Sequence, residues 1–164
     1  MKNKILAASS LNGKIKDLRK KGRRIVFTNG CFDVLHAGHV QYLEKAKAFG
    51  DILVIGLNSD ASVKKIKGDK RPIVGEKDRA SVLAALEAVD FVVIFDTPTP
   101  LSLIEIIRPD VLVKGADWKT KDIVGGNLVQ SYGGKIKRVA FKKGCSSTNI
   151  ISAILTAFSD KARH

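Results

Sequence analysis

The sequence predicts a parallel α/β sheet with helices packed on both of its faces. Short apolar runs of strand length recur along the chain, stretches of helical spacing separate most of them, and glycine, proline or charge punctuates the joins. Parallel neighbours need long crossover connections, which helices supply, and strands buried on both faces read as unbroken apolar runs.

The elements follow in order. Residues from Leu11 to about 22 set Ile15 and Leu18 among basic residues, predicting an amphipathic N-terminal helix. Arg24 to Thr28 reads as a buried strand. Ala37 to Phe49 reads as a helix carrying Val40, Leu43, Ala46 and Ala48, closed by Gly50 as a left-handed cap. Asp51 to Leu57 predicts a second strand, Glu76 to Ala88 a helix, Phe91 to Phe95 a strand and Leu101 to Ile107 a helix. Val111 to Val113 predicts a fourth strand, and Val124 to Tyr132 a helix ending at Gly133 and Gly134. Ile136 to Phe141 is the last strand expected and Thr148 to Phe158 the C-terminal helix. The sum is a Rossmann-like, doubly wound sheet of about five strands. It forms one domain over residues 1–164, with its core at 24–158. Gly68 to Gly75, with Pro72, is the expected mobile loop.

Composition narrows the function. Apolar residues at 45% and charged ones at 27% suit a soluble globular chain. No apolar run approaches the roughly 18 residues of a membrane span. Met1 to Ser10 holds only the apolar stretch Ile5 to Ala8, too short for a secretory signal, so the cytosol is the expected location. Cys31 and Cys145 lie far apart outside any CxxC pair, which argues against a disulfide framework or thiolate zinc site. They read as small buried residues that border one ligand site. The net charge of +13 fits nucleic acid, an anionic membrane surface or polyanionic small substrates. It comes with local clusters at Lys14 to Arg24, Lys64 to Arg71 and Lys135 to Lys143. Aromatics at 6% leave few stacking platforms for nucleic acid.

Ligands of such sheets bind beyond the carboxyl ends of the strands. That puts Thr28 to His39, Asn58 to Lys67 and Lys114 to Trp118 on the functional edge. In the first of these, Gly30 is expected to permit a sharp turn, and Ala37 and Gly38 to leave the helix start open to a phosphate. His36 and His39 share one side of that helix and, apart from His164, are the only histidines. A metal site is disfavoured, because no third ligand is evident nearby and HExxH spacing is absent.

Gly30-Cys31-Phe32-Asp33 followed by His36-Ala37-Gly38-His39 resembles the HxGH signature of the nucleotidyltransferase superfamily. Gly144-Cys145-Ser146-Ser147-Thr148-Asn149-Ile150-Ile151 resembles its C-terminal ISTT-type motif, with Cys-Ser-Ser-Thr where the family pattern differs. Within the superfamily, Arg24 to Ile154 resembles the D-glycero-β-D-manno-heptose 1-phosphate adenylyltransferases, through Asn58 to Lys64, Gly68 to Pro72, Ala85 to Asp90 and Val113 to Trp118. The resemblance implies transfer of AMP from ATP to a sugar 1-phosphate, giving an ADP-sugar for cell-surface polysaccharide and pyrophosphate. It further implies Mg²⁺ between phosphate oxygens, with no side-chain ligand assigned, and a homodimer. No nucleic-acid or membrane partner is expected. A kinase domain commonly precedes this activity in one chain; its absence here leads to the expectation of a separate sugar kinase upstream.

A phosphate monoester is already ionised near neutrality, so the acceptor needs no general base, and positioning with electrostatics carries the reaction. His36 and His39 are the expected catalytic donors to the α- and β-phosphates. Thr28, Asn29, Gly30, Cys31, Phe32, Asp33 and Gly38 are expected around the nucleotide phosphates. Lys114, Gly115 and Asp117 are assigned to base and ribose, and Ser146, Ser147 and Thr148 to a second anion-binding helix start. The resemblance further implies Lys64, Lys67 and Arg79 on phosphate, and Asp33 is also a candidate for an acceptor hydroxyl. Trp118 reads as either a base-site residue or a cover on the core. The rival readings are a cytidylyltransferase of glycerol 3-phosphate or a similar acceptor, a nucleic-acid-binding module, and a nucleotide-binding regulator without catalysis.

Overall fold

Ile25–Gly30 (β2) is the strand around which the others are laid out, in a computed structural model that describes residues 4–140 and 144–159. Chain order runs β1 (Ile5–Leu6), α1 (Ala8–Lys20), β2, α2 (Ala37–Lys47), β3 (Ile52–Asn58), α3 (Asp60–Lys67), α4 (Glu76–Ala85) and β4 (Phe91–Phe95). It continues with α5 (Leu101–Ile107), β5 (Val111–Gly115), a 3₁₀ turn at Thr120–Asp122, α6 (Gly126–Ser131), β6 (Lys135–Val139) and α7 (Ser147–Ser159). The strands form one parallel sheet in the order β1-β4-β3-β2-β5-β6.

Alternation along the strands sends side chains to two separate cores. Val26, Leu53, Ile55, Leu57, Val92 and Val111 pack with Leu43, Ala46, Ala80 and Leu83 of α2 and α4. Ile25, Phe27, Val54, Val93 and Leu112 point the other way, onto Leu11, Ile15, Leu103, Ile104, Ile107 and Val129 of α1, α5 and α6. Helices therefore cover both faces, as the apolar strand runs predict.

The differences from expectation have local causes. The sheet has six strands rather than about five, because Ile5–Leu6 pairs with Val92 and Val93 at one edge, a ladder too short to leave a periodic signal. Asp60–Lys67 is helical, with Ser59 accepting from the Ser62 amide as its cap. α4 stops at Ala85, where Leu86 turns extended. At the opposite edge β6 presents Lys135, Lys137 and Arg138 to solvent. Phe141, placed in the last strand by the sequence reading, lies outside the described residues, as do Lys142 and Lys143.

Gly50 is not a left-handed cap: its φ is not positive, and α2 has already ended at Ala48. Its place is set by close approach. A Cβ there would lie 2.8 Å from Val26 Cγ2 and 2.9 Å from the Arg24 carbonyl oxygen. The second neighbour is backbone and cannot rotate away. Gly50→Ala should therefore destabilise the protein by about 1–3 kcal/mol, the usual cost of overpacking, read as a lower urea midpoint. An unchanged midpoint would show that the backbone yields at this join.

Candidate active site

The order of strand addition reverses at β2: β3 lies on one side of it and β5 on the other, making the switch point at which such sheets open a crevice. Two side chains bridge the gap. Lys114 Nζ, at the end of β5, donates to Asn29 Oδ1 at the end of β2. Burial pushes the Lys114 amine down to about 8, against the opposing pull of Asp117. Its ammonium lies 5.6 Å from the centre of the Trp118 ring. Trp118 is 46% exposed and lines the cavity rather than covering the core.

The loop leaving β2 turns at residues that carry no turn signal. Phe32 has φ 45° and Val34 φ 53°, left-handed backbone that a β-branched residue rarely adopts. Gly30 is the last residue of β2, and what it provides is room, since a Cβ would stand 3.1 Å from the Phe32 ring.

Between the two turning residues sits Asp33, only 2% exposed. Its carboxylate accepts from the amides of Ile73 (2.9 Å) and Val74 (3.0 Å) and from Arg71 Nε (2.6 Å). Burial would raise this carboxyl, but the two amides and the guanidinium outweigh it and hold the pKa below the usual range. The Asp33 carbonyl also accepts from Ser147 Oγ at the start of α7. The 68–75 segment, expected as a mobile loop, is thus tied across the site. The Asp33 carboxylate thus clamps the loop after β2 to the 68–75 segment. Arg79 is also committed: it is 2% exposed and donates to Val74 O (2.8 Å), Cys31 O and Asp60 Oδ1 (2.8 Å). It braces the loop from beneath instead of lining the cavity.

His36 caps α2, its Nδ1 accepting from the Gly38 amide at 3.1 Å. That bond leaves the proton of the neutral ring on Nε2, a fixed donor. The His39 ring stacks on it, centroids 3.9 Å apart, and Phe32 meets His39 edge-on at 5.4 Å. Burial first, then His36 and Lys67, push His39 down to about 4, with Asp33 pulling the other way. Burial also lowers His36. Both rings are therefore neutral at pH 7. Close packing also requires Gly38, because a Cβ there would meet His36 Nδ1 at 2.9 Å and Cys145 Cβ at 3.0 Å.

Beside these groups lies a cavity of about 510 Å³, which His39 lines and His36 and Gly38 do not. Of the residues expected from sequence, Asn29, Gly30, Cys31, Phe32, Asp33, His39, Lys67, Lys114, Gly115 and Ser147 line it. Thr28 is buried against Tyr42, hydroxyl to hydroxyl at 2.8 Å, and supports the wall from behind. Lys64, Asp117 and Thr148 are exposed, and Ser146 caps α7 by accepting from the Asn149 amide. Cys31 and Cys145 are half-buried rather than core residues. Asn58, on the expected functional edge, also lines the wall, whereas the sequence reading missed Arg71, Tyr42 and Pro98 to Pro100. Arg71 was within reach, in the Gly68 to Pro72 string already singled out. Among the described residues no three His, Cys, Asp or Glu gather as a metal site.

A paired-histidine helix start at the switch point of a parallel sheet is the setting in which known proteins become informative. Residues 27–153 match the family model described as cytidylyltransferase-like. The chain belongs to that family of nucleotidyltransferases. Bifunctional protein HldE of Geobacter sulfurreducens is 56% identical over 151 residues, covering 92% of this chain and 31% of the relative. The chain thus spans about a third of the length of the curated relatives it matches. A solved structure of the lipopolysaccharide core biosynthesis protein from Thermoplasma volcanium superposes with TM-score 0.62 at 28% identity, over 76% of this chain and all of the other. Pantoate-beta-alanine ligase of Francisella tularensis, at TM-score 0.60 and 17% identity over 91% of this chain and 76% of its own, shares the fold.

In this nucleotidyltransferase the depressed pKa of His39 has a thermodynamic consequence. The unfolded chain takes up a proton near pH 6.5 that the folded chain refuses until about 4. Stability should be full above pH 6.5 and fall by at most about 3 kcal/mol as pH drops toward 4. Urea titrations of wild type and His39→Gln across that window check it, with the variant expected to show a shallower loss. Parallel pH curves would contradict the assignment.

Proposed function

We propose that this chain transfers AMP from ATP to a sugar 1-phosphate and releases pyrophosphate, with D-glycero-β-D-manno-heptose 1-phosphate as the acceptor. The observation that carries the reading is the stacked, neutral His36–His39 pair at the head of α2, one ring with its donor nitrogen fixed. The similarity to HldE proteins and to a lipopolysaccharide core biosynthesis protein supports the acceptor class.

An oxygen of the acceptor phosphate attacks the α-phosphorus, and the bond from that phosphorus to the bridging oxygen of pyrophosphate breaks. The acceptor is ionised before it arrives, so no proton is abstracted. What the protein must supply is donors aimed at the charge that gathers on the α-phosphate and the leaving group. His36 and His39 fill that role as neutral donors, and a triphosphate beside them draws their pKa values upward. Lys67 adds positive charge to the same wall. The Lys114 end of the cavity, with Gly115 and Trp118, takes the nucleoside, and Ser147 at the start of α7 lies with the outer phosphates. Mg²⁺ belongs to this reading as part of the nucleotide substrate. Among the described residues the cavity wall offers one carboxylate, Asp33, which Arg71 and two amides engage, so the ion would be held by phosphate oxygens and water. A phosphorylating reaction on the anomeric position of a sugar must supply the acceptor.

The cytidylyltransferase-like family description keeps CTP with glycerol 3-phosphate as the competing pair. Pyrophosphate release with ATP or CTP against heptose 1-phosphate, other sugar 1-phosphates and glycerol 3-phosphate separates the two. ATP with heptose 1-phosphate should turn over, and His36→Ala and His39→Ala should each lower kcat by roughly 10²–10³-fold while remaining folded. Turnover only with CTP and glycerol 3-phosphate would move the substrate assignment, and full activity in both variants would remove the histidines from the mechanism. The homodimer implied by the resemblance is part of this reading; sedimentation equilibrium at assay concentration tests it, and a monomer would remove it.

A further inference from the structure

The expected phosphate-binding arginine, Arg79, has its donors turned toward Val74, Cys31 and Asp60. Another arginine stands on the cavity wall in its place. We propose that Arg71 grips the phosphate of the acceptor, and that Asp33 is the residue that positions it. The proposal rests on reading the cavity as the seat of two phosphorylated substrates.

Among the described residues, two buried side-chain polar atoms lack a hydrogen-bond partner: His39 Nδ1 and Arg71 Nη2. Both belong to residues on the wall of the one cavity described above. Buried polar atoms are nearly always paired, and two exceptions on residues of the same cavity wall point to a ligand that completes them. Arg71 is held for this purpose. Its side chain is 14% exposed, and its Nε is fixed at 2.6 Å by an Asp33 side chain that is 1% exposed. Asp33 also takes the amides of Ile73 and Val74, so the backbone that carries Arg71 is pinned on its C-terminal side. With Nε occupied, the Nη1–Nη2 edge of the guanidinium remains, a planar fork that matches two oxygens of a phosphate. Lys67, on the same wall, adds a second cation.

The sheet order says which phosphate. Lys114 lies near the end of β5 and Trp118 follows it, on one side of β2. Arg71 is carried between α3 and α4, in the crossover that leaves β3 on the other side. The histidines at the head of α2 stand between these ends. A nucleoside held at the β5 end puts Arg71 on the side from which the acceptor must arrive. The ligand class is a phosphate monoester of a compact polyol or sugar; an unphosphorylated sugar has nothing to offer the fork.

The test uses the full chain as wild type, Arg71→Ala, Arg71→Lys and Asp33→Asn, each checked for folding by thermal melt. In steady-state pyrophosphate release, Arg71→Ala should raise the KM of the sugar 1-phosphate by roughly ten- to a hundredfold and leave the KM of ATP within about twofold. Arg71→Lys, with charge but no fork, should fall between. Asp33→Asn should raise the acceptor KM without shifting that of ATP. An equal rise for both substrates would assign Arg71 to the triphosphate, and unchanged KM values would make it structural; either overturns the proposal. Should Arg71→Ala fail to fold, Arg71→Lys decides by the same split. If wild type uses no sugar 1-phosphate at all, the functional reading fails separately. Arg71 is then judged by titrating inorganic phosphate while following the arginine Nε–H and histidine resonances by NMR. Binding weakened in Arg71→Lys upholds the proposal, and binding equal to wild type overturns it.

Discussion

Asp33 is an ionised carboxylate removed from water, and such a charge is tolerated only where donors surround it. Two amides and a guanidinium do so, all of them from one segment some forty residues further along the chain. The price of desolvating the carboxylate is offset only when that segment is in place, so the loop after β2 and the 68–75 segment form together or not at all. The Asp33 carbonyl reaches a third segment through Ser147. The left-handed backbone at Phe32 and Val34 follows from this arrangement, because residues on both sides must turn for Asp33 to face inward.

The site's electrostatics depend on the same enclosure. Burial drives His39 and Lys114 toward their uncharged forms, against the tendency of a +13 chain to fill its ligand site with bare cations. The free site avoids mutual repulsion among His36, His39 and Lys67. In the function proposed above, phosphate oxygens reverse the balance on entry, since a nearby anion restores the charged form that burial suppressed. Donor strength thereby rises with the negative charge presented to it, which is the direction that favours a transition state over its substrates.

Much of this was legible in the order of residues. Strands buried on both faces leave apolar runs that need no context, and β4 and α5 have the expected limits, Phe91–Phe95 and Leu101–Ile107. The histidine pair could be read because its geometry is local, three residues apart at a helix start. Commitments made across the chain could not. Arg79 and Arg71 are both arginines near a glycine-bounded loop, and only the fold turns one toward Cys31, forty-eight residues away, and leaves the other on the cavity wall. Positive φ at Phe32 and Val34 had no glycine or asparagine to announce it. The β1 ladder was too short for any periodicity to reveal.

The exposed basic residues of β6 bear on a different problem. A sheet that does not close has open edges, and an open edge is a template on which another chain can add strands. On one side β1 is only two residues long, too short a template to propagate. On the other, Lys135, Lys137 and Arg138 line the margin, and a second copy approaching in register would bring its own cations against them. Part of the positive charge that first suggested a polyanionic partner thus serves colloidal behaviour, keeping neighbouring molecules from stacking edge to edge at the concentrations of a crowded cell.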